Sequence, residues 1–123
     1  MGESRYSGEL YIIIPRNERD SLHDITALRM VGEINNSRRI NNIVIKEDEK
    51  FSLVEKFCNE KDITLNSVAE NFNLIEELTR YYGEPPRRFV YLTRSESQES
   101  LSGTIETLAD WGFYSEFRIP NSF

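Results

Sequence analysis

Cysteine and histidine each occur once in this chain of 123 residues, as Cys58 and His23. A single cysteine excludes an intramolecular disulfide and any multi-cysteine metal cage. Cys58 falls beside Val54 and Phe57 on an apolar helical face, where a thiol packs rather than reacts. His23 has no assignable serine or cysteine to activate, so it reads as structural rather than as a general base. Glycine is sparse too. None of the six glycines forms a Walker pattern or a Gly-x-Gly-x-x-Gly turn, so the common phosphate loops are missing. No catalytic, metal or cofactor set is nominated.

Long apolar runs are absent. Leu10 to Ile14 is the longest, far short of a membrane span, and no basic segment with an apolar stretch behind it suggests a secretory signal. A cytoplasmic protein with no membrane partner is the expectation. Positive charge is in deficit: the formal net charge is −6, which argues against general nucleic-acid binding, because neutralising phosphates needs a basic face. The doublets Arg38-Arg39 and Arg87-Arg88 each flank a strand and suit solvated edges. With 38% apolar and 29% charged residues the chain suits a folded globular domain.

What is present is a regular alternation. Residues 1–8 are polar and are expected to be a flexible terminus, with one domain over 9–123. Leu10 to Ile14, closed by Pro15, predicts a buried strand. Leu22, Ile25, Leu28 and Val31 predict a helix from Ser21 to about Ile34. Asn42 to Lys46 predicts a second strand, followed by an Asp48-capped helix with Phe51, Val54, Phe57 and Cys58 on one face. Asp62 to Asn66 is favoured as a short strand, with Ser67 and Glu70 spaced as a capping box for a helix through Val68, Phe72, Ile75, Leu78 and Tyr82. Gly83 suits the end of that helix, and Pro85-Pro86 breaks the chain. Arg88 to Leu92 predicts a strand. Ser95 with Gln98 forms a second capping box, before a helix burying Leu101, Ile105, Leu108 and Trp111. Phe113 to Ile119 alternates half-polar faces, as an edge strand does.

This order implies a compact α/β three-layer domain with a mostly parallel sheet of four or five strands. If the segment around Ile63 is not a strand, a ferredoxin-like α+β sandwich with an inserted helical pair is the alternative. Residues 88–120 also resemble, in outline, the end of a response-regulator receiver domain. Leu92-Thr93 closes a strand, a helix follows, and Gly112 leads to a last strand ending at Ile119-Pro120. The resemblance implies only a parallel α/β arrangement. Pro15-Arg16-Asn17 stand where that family has acidic metal ligands, Asn66 lies at the approximate place of the phospho-acceptor aspartate, and Ile119 replaces the lysine. Phosphotransfer is not carried over.

In open parallel sheets, ligands bind beyond the carboxyl ends of the strands. Those ends nominate Arg16, Asn17, Asn66, Ser67, Thr93, Arg94 and Ser95 as a ligand rim, with guanidinium forks and helix N-termini suited to a carboxylate or phosphate. Arg16 and Arg94 follow their apolar runs at the same offset. The carboxylates Glu18, Asp20, Glu47, Asp48 and Glu49 are an alternative cation set, but acidic first turns are favoured by the helix dipole anyway. Tyr81, Tyr82, Pro85 and Pro86 form a candidate protein-binding corner. The expected function is that of a small, acidic, non-enzymatic protein that binds another protein, with a basic partner suited to its charge: a regulator, inhibitor, immunity protein or adaptor. The alternative is a module for a nucleotide-like or other anionic small molecule at the strand ends. The last strand also offers an edge through which two copies could pair.

Overall fold

The structure, a computed structural model, describes residues 8–17, 19–81 and 87–120. Strands and helices alternate as β1 (Gly8–Ile13), α1 (Asp24–Ser37), β2 (Asn42–Lys46), α2 (Ser52–Lys61), β3 (Thr64–Val68), α3 (Leu74–Thr79), β4 (Arg87–Leu92), α4 (Gln98–Asp110) and β5 (Tyr114–Arg118). All the strands pair in parallel, in the order β3-β2-β4-β1-β5. The α/β expectation holds in its five-stranded form. The ferredoxin-like alternative does not, because the disputed segment pairs with β2 from Thr64 to Val68. The receiver resemblance stops short of topology: β1 lies between β4 and β5, whereas the flavodoxin-like order of that family sets β1 against β3.

The strand order explains the layers. Going from β1 to β2 to β3 the chain moves toward one edge, and from β3 to β4 to β5 it moves back. Right-handed crossovers then put α1 and α2 on one face of the sheet and α3 and α4 on the other. The two cores are filled accordingly. Tyr11, Ile13, Val90 and Leu92 pack with Ala27, Val31, Ile34, Phe51, Val54 and Cys58. Leu10, Ile12, Phe89 and Tyr91 pack with Leu74, Leu78, Leu101 and Leu108. β1 and β4 are apolar at successive positions because each feeds both cores, at roughly 1.5–3 kcal/mol per fully buried large side chain. β5 has a neighbour on one side only and keeps its half-polar alternation.

Several boundaries differ from the sequence expectation, each for a local reason. Gly8 belongs to β1, opposite Arg87. A Cβ added there would stand 2.8 Å from the Phe113 ring, so only glycine permits this approach. Helix α1 starts at Asp24 and buries Ala27, Met30, Val31 and Ile34, which turns Ile25 outward at 68% exposure. Asp48 lies in a turn and does not cap α2; Asp24 serves that end instead, its Oδ2 accepting from Leu53 N–H at 2.9 Å. The supposed capping residue Ser67 is inside β3. The true cap of α3 is Asn73, whose side chain accepts from Glu76 N–H at 3.2 Å. The cap of α4 is Ser97 with Ser100, two residues beyond the Ser95 pair. Residues 1–7, Tyr82, Gly83, Pro85 and Pro86 lie outside the described residues. No described helix is long and apolar enough to cross a membrane.

Candidate functional site

After β1 the chain leaves toward the α1/α2 face, and after β4 toward the α3/α4 face. The two strands are adjacent, so their exits diverge and open a crevice at the carboxyl ends, the position where open α/β sheets bind ligands. A cleft of about 630 Å³ lies there. Ile14 and Pro15 line one side with Arg16, Asn17 and Asp20, and the run from Arg94 to Ser100 lines the other. That volume falls in the usual range for small-molecule sites.

Its side chains divide into fixed and available groups. Asn17 is fixed: its Oδ1 accepts from the N–H groups of Arg19 (2.9 Å) and Asp20 (3.0 Å), shaping the loop as an Asx turn. Arg16 is exposed and pairs with Asp20 at 2.8 Å, both side chains 41% accessible, a contact worth little in water. Arg94 points elsewhere. Its Nε donates to Leu22 O (2.8 Å), its Nη1 donates to Lys50 O (3.0 Å), and the guanidinium lies 3.8 Å from the centre of the Phe51 ring. Its backbone N–H donates to Oε1 of the buried Glu49 at 3.0 Å. Arg94 thus bolts the β4–α4 connection to the loops before α1 and α2, and the two strand-end arginines do not form one clamp.

On the opposite side of the same connection is a polar cluster that sequence reasoning only half nominated. Thr93 is fully buried; its N–H donates to Ile13 O (3.2 Å) and its Oγ1 accepts from Ser95 N–H (3.2 Å). Lys46 Nζ donates to Ser95 Oγ at 3.0 Å and stands 3.4 Å from Glu96 Oε2. The hydroxyl of buried Tyr91 donates to that same Glu96 oxygen. Burial first, and then this hydrogen bond, push the Tyr91 hydroxyl well above its ordinary range, so it remains a donor. Lys46, Tyr91 and Glu96 were not foreseen. The available signal was the lysine that closes the apolar run Ile43 to Ile45 of β2: period two places it on the face of Val44.

Asn66 and Ser67 lie inside β3, at the far edge of the sheet, and are not brought to the cleft. Tyr81 turns inward: its ring meets Phe89 at 5.0 Å between centroids, and its hydroxyl donates to Asn42 Oδ1 at 3.4 Å. Cys58 is buried, and burial raises its thiol to about 11. No family model matches the chain, and no curated protein or solved structure matches it either.

Proposed function

We propose that this chain is a binding module for a small ligand carrying an oxyanion, held in the cleft between the ends of β1 and β4. The observation that carries this is the coincidence of a cleft of ligand size with the crevice where the β1 and β4 exits diverge. Arg16, the hydroxyls of Ser95 and Ser97, and the first turn of α4 supply groups that suit a phosphate or carboxylate. Thermal melting with inorganic pyrophosphate and with citrate tests it. A ligand at 100 times its dissociation constant adds about 2.7 kcal/mol to the native state. A melting temperature that neither probe raises sinks the proposal.

A second reading is favoured by the distribution of charge. Residues 70–81 and 96–111, which hold α3 and α4, carry seven carboxylates and one arginine, so the rest of the chain has fourteen charges of each sign. The net charge of the whole chain therefore equals that of these two segments, and five of their seven carboxylates lie in α3 and α4 themselves, as suits docking of a basic protein. Capture from the native host with wild type and with a Glu99→Lys, Glu106→Lys, Asp110→Lys variant tests this. A partner held equally by both proteins contradicts it.

A further inference from the structure

The cleft in its resting form is a poor place for an anion. Arg16 has Asp20 beside it, Arg94 is turned into the α1/α2 core, and Asp20, Glu96 and Glu99 add negative charge to the walls. The missing cation stands directly behind the wall. The Lys46 side chain is only 11% exposed, and its ammonium rests against Ser95 and Glu96, both of which line the cleft. A cation so far removed from water needs an anionic partner, and Glu96 is that partner.

The position of one Glu96 oxygen is informative. Oε2 receives the Tyr91 hydroxyl and faces the Lys46 ammonium, while Ser95 Oγ lies 3.0 Å from that ammonium. Two donors converge on the point where a carboxylate oxygen already sits, and a serine hydroxyl lies beside it. Glu96 is also in the segment between Leu92 and Gln98, outside both β4 and α4, so its side chain can rotate without breaking a ladder or a helical turn. Its own side chain is 26% exposed, and Glu96 lines the cleft.

We infer that Lys46, with Tyr91 and Ser95, is the oxyanion receptor of this cleft, and that Glu96 fills it as a built-in counter-ion until a ligand oxyanion displaces it. This rests on the ligand proposal above and names the atoms that would carry it. The tethered carboxylate competes with any free anion, so removing it should tighten binding. Removing the lysine should abolish binding while leaving Arg16 in place.

The test is ligand-dependent melting of wild type, Glu96→Gln, Glu96→Ala and Lys46→Met. Inorganic pyrophosphate and citrate serve as phosphoryl and carboxylate probes, against sodium chloride of equal ionic strength. The expected result has three parts. Glu96→Gln melts lower than wild type without ligand, because Lys46 is left uncompensated. Both Glu96 variants recover with the probe at concentrations about tenfold lower than wild type needs, a modest figure for removal of a like charge from a partly buried site. Lys46→Met, which no longer buries a charge, shows no probe-dependent shift. Whichever probe acts at lower concentration identifies the phosphoryl or carboxylate class. If the Glu96 variants need as much probe as wild type, or Lys46→Met keeps its shift, the inference is overturned. Should that shift then vanish in Arg16→Ala, ligand binding in the cleft survives without it. If no protein responds to either probe, both are overturned.

Discussion

Arg16 and Arg94 follow two similar apolar runs at the same offset and leave adjacent parallel strands, yet they do opposite things. Arg94 is enclosed: two backbone carbonyls accept from it and an aromatic ring lies beneath it. Arg16 stands in solvent with one aspartate for company. The strand register starts the difference: Ile13 pairs with Leu92, so Arg94 stands level with Pro15 and Arg16 one residue further out, and a one-residue step reverses the face. Neighbours do the rest. β4 has β2 beside it, so the loop leading to α2 brings Lys50 and Phe51 within reach of Arg94, and Leu22 approaches from the segment before α1. On its other side β1 has the edge strand β5, whose carboxyl end leads to no further helix among the described residues. The same residue type is a fastener at the middle of the sheet and an available charge nearer its edge.

Breaking the fastener should give the largest effect. We expect Arg94→Ala to lose about 2–4 kcal/mol in urea unfolding, since two carbonyls lose a charged donor and the contact with Phe51 disappears. Arg94→Lys should recover only part of this, because an ammonium cannot reproduce a planar fork that also stacks. An Arg94→Ala protein as stable as wild type would mean that Arg94 is no fastener.

Alkaline pH probes the core beneath that fastener, which Phe51 shares with Cys58. The Cys58 thiol is raised from 9.0 to about 11, chiefly by burial. A raised folded value means its contribution is complete below pH 9 and is lost as pH climbs from 9 to 11, by about 3 kcal/mol at roughly 1.4 kcal/mol per unit. Tyr11, in the same core and held up at about 12 by burial and by its bond to Glu9, extends the loss above pH 10. Stability measured against pH should therefore fall through this window, and Cys58→Ala should flatten its first part. An unchanged slope in Cys58→Ala would place the titration elsewhere.

The contrast between the arginines also marks what the sequence could and could not disclose. β1 and β4 were legible because strands buried on both faces need apolar residues at every position. β5 was legible as an edge because its alternation is half polar. The start of α3 was not, since Ser67 and Asn73 are both good capping residues, and pairing of β3 with β2 claims the first of them. Ser95 lost the capping role to Ser97 for another reason: α4 begins only at Gln98, and the Ser95 hydroxyl accepts from Lys46. The destination of Arg94 depends on Leu22 and Phe51, more than 40 residues away along the chain, and no local spacing encodes it. Lys46 was hidden for a similar reason, because its partners Ser95 and Glu96 meet it only through the pairing of β2 with β4.

The smallest effect on stability is expected at Arg16. Its exposed pair with Asp20 is worth less than about 0.5 kcal/mol, so Arg16→Ala should unfold within that margin of wild type. Its role should appear only with ligand. The most direct measurement is thus the melting temperature of Arg16→Ala, Arg94→Lys and wild type over a titration of inorganic pyrophosphate. The expected result is a weakened shift in Arg16→Ala despite unchanged intrinsic stability, and a preserved shift in Arg94→Lys despite a lower starting point. The reverse pattern, with Arg16→Ala responding as wild type does and Arg94→Lys unresponsive, would contradict the division of roles between the two arginines.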